Sequence, residues 1–159
     1  MSSVISQPLV VEEWAQRPVD QQEVLAILES AVWAPNDGLR EPWRFIYVDG
    51  EHAAALWPEH PAAPAHLIVV AMLSEASHKQ LEDLCAVYGL IQNIHLLAWE
   101  RQLSVRTSNA AWIYSSAVRE QFKLKERERI AAVLDLGYAA RYTTKQANHD
   151  PVPLQIGTY

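Results

Sequence analysis

Residues 66–73, His-Leu-Ile-Val-Val-Ala-Met-Leu, constrain this chain more than any other stretch. Apolar side chains occupy positions of both parities, so a strand built from them buries both of its faces and belongs in the middle of a sheet. The longest helical pattern follows at once, from about Glu75 to Gln102. One stripe on it is Leu81, Leu84, Tyr88, Ile91, His95 and Ala98; a second is Cys85, Gln92, Leu96 and Trp99. A helix apolar on more than one face is buried by more than its own sheet. A dimer axis demands such a helix.

Before the central strand the signals are equally local. Asp20-Gln21-Gln22-Glu23 has capping-box spacing, and Val24, Ile27, Leu28, Ala31 and Val32 recur at helical intervals up to Trp33. Trp43 to Val48 is β-branched and aromatic and ends in the turn pair Asp49-Gly50. Glu51 to Trp57 predicts a short helix closed by Pro58, and residues 58–65 read as a proline-rich loop. After the long helix, Gln102 to Thr107 is polar and extended, and Ala110 to Phe122 is mostly helical. Lys123 to Arg129 is a charged, solvated run, and Ile130 to Leu136 is a strand ending at Gly137. Residues 1–19 are weakly patterned, and the tail from Arg141 carries little core-like pattern.

The link between the first helix and the first clear strand, Trp33 to Phe45, is where helical periodicity stops. Pro35 pushes Ala34 out of the α region and Pro42 removes a donor just before the strand. Asn36-Asp37-Gly38 between them is turn chemistry, with a glycine open to positive φ. The result is a stiff connector with exposed peptide groups and an arginine beside a tryptophan, suited to holding a flat polar ligand.

Composition narrows the classes. A 159-residue chain, half apolar and one-fifth charged, is a single globular domain. A net charge of −6 argues against nucleic acid. One cysteine, Cys85, excludes an internal disulfide and fits a reducing compartment. No basic leader or membrane-length apolar run is present in these residues, so the expected location is cytoplasmic, with no membrane partner. The six histidines lack metal-ligand spacing and Cys85 has no partner, so no metal is expected. His95 and Cys85 read as core groups. Neither a nucleophile elbow nor a P-loop occurs. Trp14, Trp33 and Trp43 can stack around a flat pocket or fill a core, while Trp99 and Trp112 suit a subunit interface.

The connector resembles the second signature of the nitroreductase family, A-P-(N/S/D)-x-x-x-x-x-P-W-(R/H/Q)-F, through Ala34-Pro35-Asn36 and Pro42-Trp43-Arg44-Phe45. The resemblance covers residues 18–140 and implies an α+β fold. This is an α-β-α sandwich with a central, mostly antiparallel sheet flanked by helices, dimeric, with FMN at the homodimer interface. It implies hydride transfer from NAD(P)H to a nitroaromatic, quinone or similar small electron acceptor, with no protein acid or base required. Residues 1–159 form one domain, with 1–17 and 141–159 as ends that wrap a partner.

The same resemblance assigns candidate cofactor-binding residues. Trp33 and Asp37 meet the flavin, with the peptide groups of Pro35, Asn36 and Gly38, and Arg40 meets the ring edge or ribityl chain. Arg106, Thr107 and Ser108 stand where relatives contact the FMN phosphate, although Gln102 and Ser104 replace usual glycines and Val105 an aromatic. Where relatives open with Arg-Arg-Ser-x-Arg to grip the phosphate, this chain has Pro8-Leu9-Val10 and then Glu12. Losing two charge-assisted contacts, each about 1.5–3 kcal/mol, weakens phosphate binding by orders of magnitude. A second function class therefore stands beside the enzyme: a non-catalytic binding module of the same fold with weak or no flavin binding.

Overall fold

The computed structural model describes residues 9–56, 63–108 and 111–144. Residues 1–8, 57–62, 109–110 and those from Lys145 onward lie outside the described residues, with the expectations placed on them.

Four strands make the main sheet: β2 (Trp43–Asp49), β3 (Ala65–Met72), β4 (Ser104–Ser108) and β5 (Glu128–Gly137), in the order β2-β3-β5-β4 and antiparallel throughout. β3 is central, as its two apolar faces require, and all but Met72 of its residues are buried. Its alternate residues feed two cores. Ala65, Leu67, Val69 and Ala71 pack with α1 (Gln21–Ala31) and α3 (Ser77–Glu100). Ile68 and Val70 pack on the other face with Ala53 of α2 (Gly50–Leu56), Ile113, and Val118 of α4 (Ser116–Gln121). The result is an α-β-α sandwich.

Helix α1 starts where its sequence places it. Asp20 Oδ1 accepts from the Gln22 backbone N–H at 2.9 Å. The expected box is only half made: the Tyr138 hydroxyl donates to Glu23 at 2.6 Å, so that carboxylate serves a tertiary contact and not the cap.

One stretch expected only to be extended is a paired strand, and two other regions differ from the sequence expectation. The polar stretch after α3 is a strand, β4, paired to β5 from Ser104↔Gly137 to Ser108↔Val133. It forms the sheet's edge, where polar side chains are tolerated. The weakly patterned ends, β1 (Leu9–Trp14) and β6 (Ala139–Thr144), pair with each other as a separate antiparallel ribbon, Leu9 opposite Thr144. In α3 the buried line is Asp83, Ala86, Val87, Leu90, Ile91, Ile94 and Ala98. Both expected stripes are partly turned outward instead: Leu81 (67 %) and Tyr88 (48 %) of the first and Trp99 (37 %) of the second are exposed, and so is Cys85, contrary to its reading as a core group. The helix is wetted on one apolar face because only one face meets its own sheet.

Candidate functional site

The connector is held by its own side chains. Asn36 clamps it at both ends, donating from Nδ2 to the Ala34 carbonyl at 3.1 Å and accepting on Oδ1 from the Glu41 N–H at 3.0 Å. Between these bonds Gly38 (φ 60°), Leu39 (φ 52°) and Glu41 (φ 46°) all sit in the left-handed region. Each non-glycine there costs about 1–2 kcal/mol, so the tertiary frame fixes the shape. That frame leaves Trp33 81 % and Leu39 78 % exposed on either side of the turn. Two large apolar side chains therefore stand in solvent on this link. Trp43, by contrast, is core.

Arg40 does not extend into solvent as a ligand-seeking cation. Its Nε donates to the Asp37 carbonyl at 3.1 Å and Nη1 to Ser74 Oγ at 2.7 Å, while Nη2 lies 3.2 Å from Asp83 Oδ1. Asp83 is only 1 % exposed and also accepts from the Ser74 N–H at 2.7 Å. Glu82 and Asp37 carboxylates stand further off at 3.7 and 3.6 Å. The arginine thus ties the connector to the N-terminal turns of α3.

The second group of candidates, on β4, is engaged in the same way. Arg106 donates Nε and Nη2 to Asp135 Oδ2 at 3.0 and 2.8 Å, and its guanidinium lies 5.5 Å from the Trp14 ring centre. Asp135 is fully buried and its other oxygen meets His66 Nδ1 at 2.9 Å. β-sheet register explains the row: Arg106 is opposite Asp135, which is opposite His66. Thr107 Oγ1 meets His95 Nε2 at 2.7 Å, and burial pushes the His95 imidazole below its ordinary value, toward the neutral form. His95 is half-buried and bonded, as its place on an apolar stripe suggests. Ser108 is engaged as well.

Within one chain the two groups are far apart. β2 and β4 are opposite edges of the sheet, three strand spacings or about 14 Å from each other. Asp83, which anchors Arg40, and His95, which anchors Thr107, are about 18 Å apart along α3 at 1.5 Å per residue. The structure therefore gathers Asn36, Asp37, Gly38 and Arg40 at one end of α3, and Arg106, Thr107 and Ser108 at the other.

At that second end lies a cavity of about 650 Å³, lined by Trp99, Glu100, Gln102, Tyr138, Ala139 and Tyr142. Tyr142 shares a 2.6 Å hydrogen bond with Ser104 and tilts 57° against Trp99, ring centres 6.3 Å apart. Its size is that of a small-molecule site, and its walls are aromatic. Tyr142, on β6, and Tyr138, just before it, escape sequence reasoning because that strand pairs with β1 from the other end of the described residues. No cluster able to hold a metal ion is found among the described residues. No helix among them is long and apolar enough to cross a membrane.

Comparisons with known proteins agree with this architecture. The profile of the nitroreductase family matches residues 14–83, a span that contains the connector. A protein of Bacillus subtilis (strain 168) with the provisional designation NAD(P)H nitroreductase YfhC is 32% identical over 152 residues, covering 80% of this chain and 78% of that one. Among solved structures, a nitroreductase-like family protein from Bacillus cereus superposes with a TM-score of 0.85 at 25% identity, over 98% of this chain and 94% of that one. A Desulfovibrio desulfuricans protein of nitroreductase type, solved in complex with FMN, gives 0.79 at 20% identity, over 99% and 96%. At that identity it speaks for the fold alone.

Proposed function

The chain belongs to the nitroreductase family, and from that premise we propose that it is an FMN-dependent oxidoreductase, moving hydride from NAD(P)H to a nitroaromatic, quinone or similar small acceptor in a site shared by two copies of the chain. One observation carries the shared site: Arg40 ties the connector, with its exposed Leu39, to Asp83 near the start of α3, while the aromatic cavity at Trp99 and Tyr142 lies at the other end of that helix. A two-fold axis crossing the middle of α3 brings the connector of one copy to the cavity of the other.

The face available for that crossing is the outward stripe Leu81, Cys85, Tyr88 and Trp99. Gly89 lies beside it, and a Cβ placed there meets nothing within 4 Å. A mid-helix glycine costs about 0.5–1 kcal/mol relative to alanine. Nothing in its own chain requires it, whereas a second helix packed close does.

A flavin fits what the chain offers at the ring end. Trp33, Leu39 and the connector peptide groups of residues 35–38 supply a flat apolar edge with hydrogen-bonding backbone, and Trp99 and Tyr142 supply the facing wall. When bound, the flavin provides the two-electron chemistry. The protein residues orient it and exclude water. Thr107 and His95, whose imidazole burial shifts toward the neutral form, hold a hydrogen-bonded pair at the cavity end of α3.

The purified full-length chain tests this directly. It is expected to sediment as a dimer, to bind flavin, and to consume NAD(P)H when a quinone or nitroaromatic is supplied. Leu81→Glu with Trp99→Glu is expected to give monomers that lose flavin and turnover together. A flavin-loaded monomer of undiminished activity refutes the shared site. A folded dimer that binds no flavin supports the rival reading, a binding module, which the engaged state of Arg40 and Arg106 favours.

A further inference from the structure

The face of the sheet away from α1 and α3 carries a second cavity, of about 290 Å³, separate from the aromatic one. It is lined by Ile113, Tyr114, Arg119, Leu124, Arg129 and Ile130, which come from the helical turn Ala111–Tyr114, α4, the link after it and the start of β5. Ile113 and Ile130 are buried in the second core, and Leu124 packs against it. They give the cavity an apolar floor. Tyr114, exposed at its side, gives it an aromatic wall.

One flank is cationic. Arg119 donates Nη1 to the Glu128 carbonyl and Nη2 to the Lys125 carbonyl, both at 3.0 Å. Arg129 donates Nη1 to the same Glu128 carbonyl at 2.8 Å and to that of Glu126 at 2.6 Å. Two guanidinium groups thus share one acceptor oxygen and lie side by side. Carbonyl oxygens aim them but cancel no charge. Among the described residues, Nε of both arginines and Nη2 of Arg129 have no hydrogen-bond partner.

Nearby acids do not supply the missing charge. The Glu128 carboxylate is bound to Arg44 at 2.8 Å, and Glu75 is taken by Arg127. Glu120 and Glu126 are exposed, and among the described residues neither Arg119 nor Arg129 has a carboxylate within ion-pair distance. Residues 119–129 hold Arg119, Lys123, Lys125, Arg127 and Arg129 against Glu120, Glu126 and Glu128, so this region is basic in a chain whose net charge is −6. Neighbouring like charges repel unless an anion lies between them. A carboxylate matches the planar guanidinium fork. The floor then selects the rest of the ligand, and a volume at the low end of small-molecule sites limits it to about six to eight carbons.

We propose that this cavity is a second binding site, for a small carboxylate with a compact apolar body, on the opposite face of the sheet from α3. Its six lining residues belong to one chain, so binding requires neither flavin nor a second copy.

Calorimetric titration of the full-length protein with cyclohexanecarboxylate tests this. The expected dissociation constant is about 10 μM to 1 mM, a range open to a ligand of about nine non-hydrogen atoms. Cyclohexanecarboxamide, which lacks the charge, and inorganic phosphate, which lacks the apolar body, are each expected to bind at least about tenfold more weakly. Arg129→Gln, on an exposed side chain, is expected to weaken the carboxylate at least about tenfold with circular dichroism unchanged. Saturating FMN is expected to leave the affinity as it is. Equal binding of acid and amide overturns the proposal without any variant, and phosphate bound as tightly as the probe overturns it too. Affinity untouched by Arg129→Gln, displacement of the probe by FMN, or no binding at about 10 mM has the same consequence. Flavin binding and turnover are measured separately, so failure here leaves the oxidoreductase reading standing.

Discussion

Replacing Arg106 with leucine strands the carboxylate of Asp135 in the sheet, and the size of the effect follows from the surroundings. Asp135 has no exposed surface, and Arg106 supplies two of its charge-assisted bonds. His66, itself 2 % exposed, supplies another. Breaking a buried pair by removing one partner costs about 3–5 kcal/mol, because an unpaired charge remains out of water. For a chain of this size each kcal/mol lowers Tm by about 2–4 °C, so Arg106→Leu is expected to lower Tm by about 10–15 °C. Asp135→Leu costs less, since the Arg106 side chain is 31 % exposed and reaches solvent. The double variant is expected to recover most of the loss, as apolar replacements of buried pairs commonly do. Calorimetry on the four proteins of the cycle, at one fixed protein concentration, measures the coupling. A drop below about 3 °C for Arg106→Leu, or no recovery in the double variant, shows that the arginine is not committed to Asp135 and is available to a ligand.

Four further outcomes can be checked. Arg44 holds the buried Glu128 below the ordinary carboxylate value, chiefly through their hydrogen bond; its contribution is complete above about pH 4.5 and is lost as pH falls through the lower folded value. Urea unfolding of Arg44→Met is expected to show a flatter acid limb. Burial lowers the His95 pKa, so below 6.5 the unfolded chain takes the proton first and stability falls on acidification, levelling off under the folded value; His95→Gln is expected to remove that part of the slope. Gly137→Ala places a Cβ 2.7 Å from both Pro64 Cδ and Trp14 Cε3 and is expected to cost about 1–3 kcal/mol by thermal melt. Gly89→Ala, with open space in its own chain, is expected to raise the dimer dissociation constant in sedimentation experiments while leaving the helical circular dichroism intact or increased.

What the residues alone disclosed depends on how far apart the interacting partners are. Capping by Asp20, the breaks at Pro35 and Pro42 and the two-faced run of β3 act within a few residues, so α1, the connector and the central strand are legible within two residues of their ends. β6 is largely exposed, so its alternation is blurred and it passes for tail, while β4 reads as extended but its polar residues do not disclose that it pairs with β5. The α3 pattern contains two apolar faces, and periodicity cannot say which one meets the sheet; Val87, Leu90 and Ile94 win because they oppose β3 and β5. The nitroreductase-like connector was readable as a motif, yet the engagement of Arg40 and Arg106 was not. Their carboxylates come from Asp83 and Asp135, on other elements, and ion pairing leaves no local sequence mark.

The ribbon that joins Leu9 to Thr144 has a kinetic meaning. Its partners lie at the two ends of the described chain, so closing it costs more loop entropy than any hairpin in the molecule. Collapse of β2, β3 and β5 comes first, and β1 and β6 dock last, as the final clasp on a formed body. In native-state hydrogen exchange the amides of Val10, Val11, Tyr142 and Thr143 should therefore open well before those of Ile68, Val69 and Val133. Because Tyr138 is the single residue between β5 and β6, each such opening uncovers one side of the aromatic cavity. The entrance for a ligand and the weakest seam of the fold are then the same place.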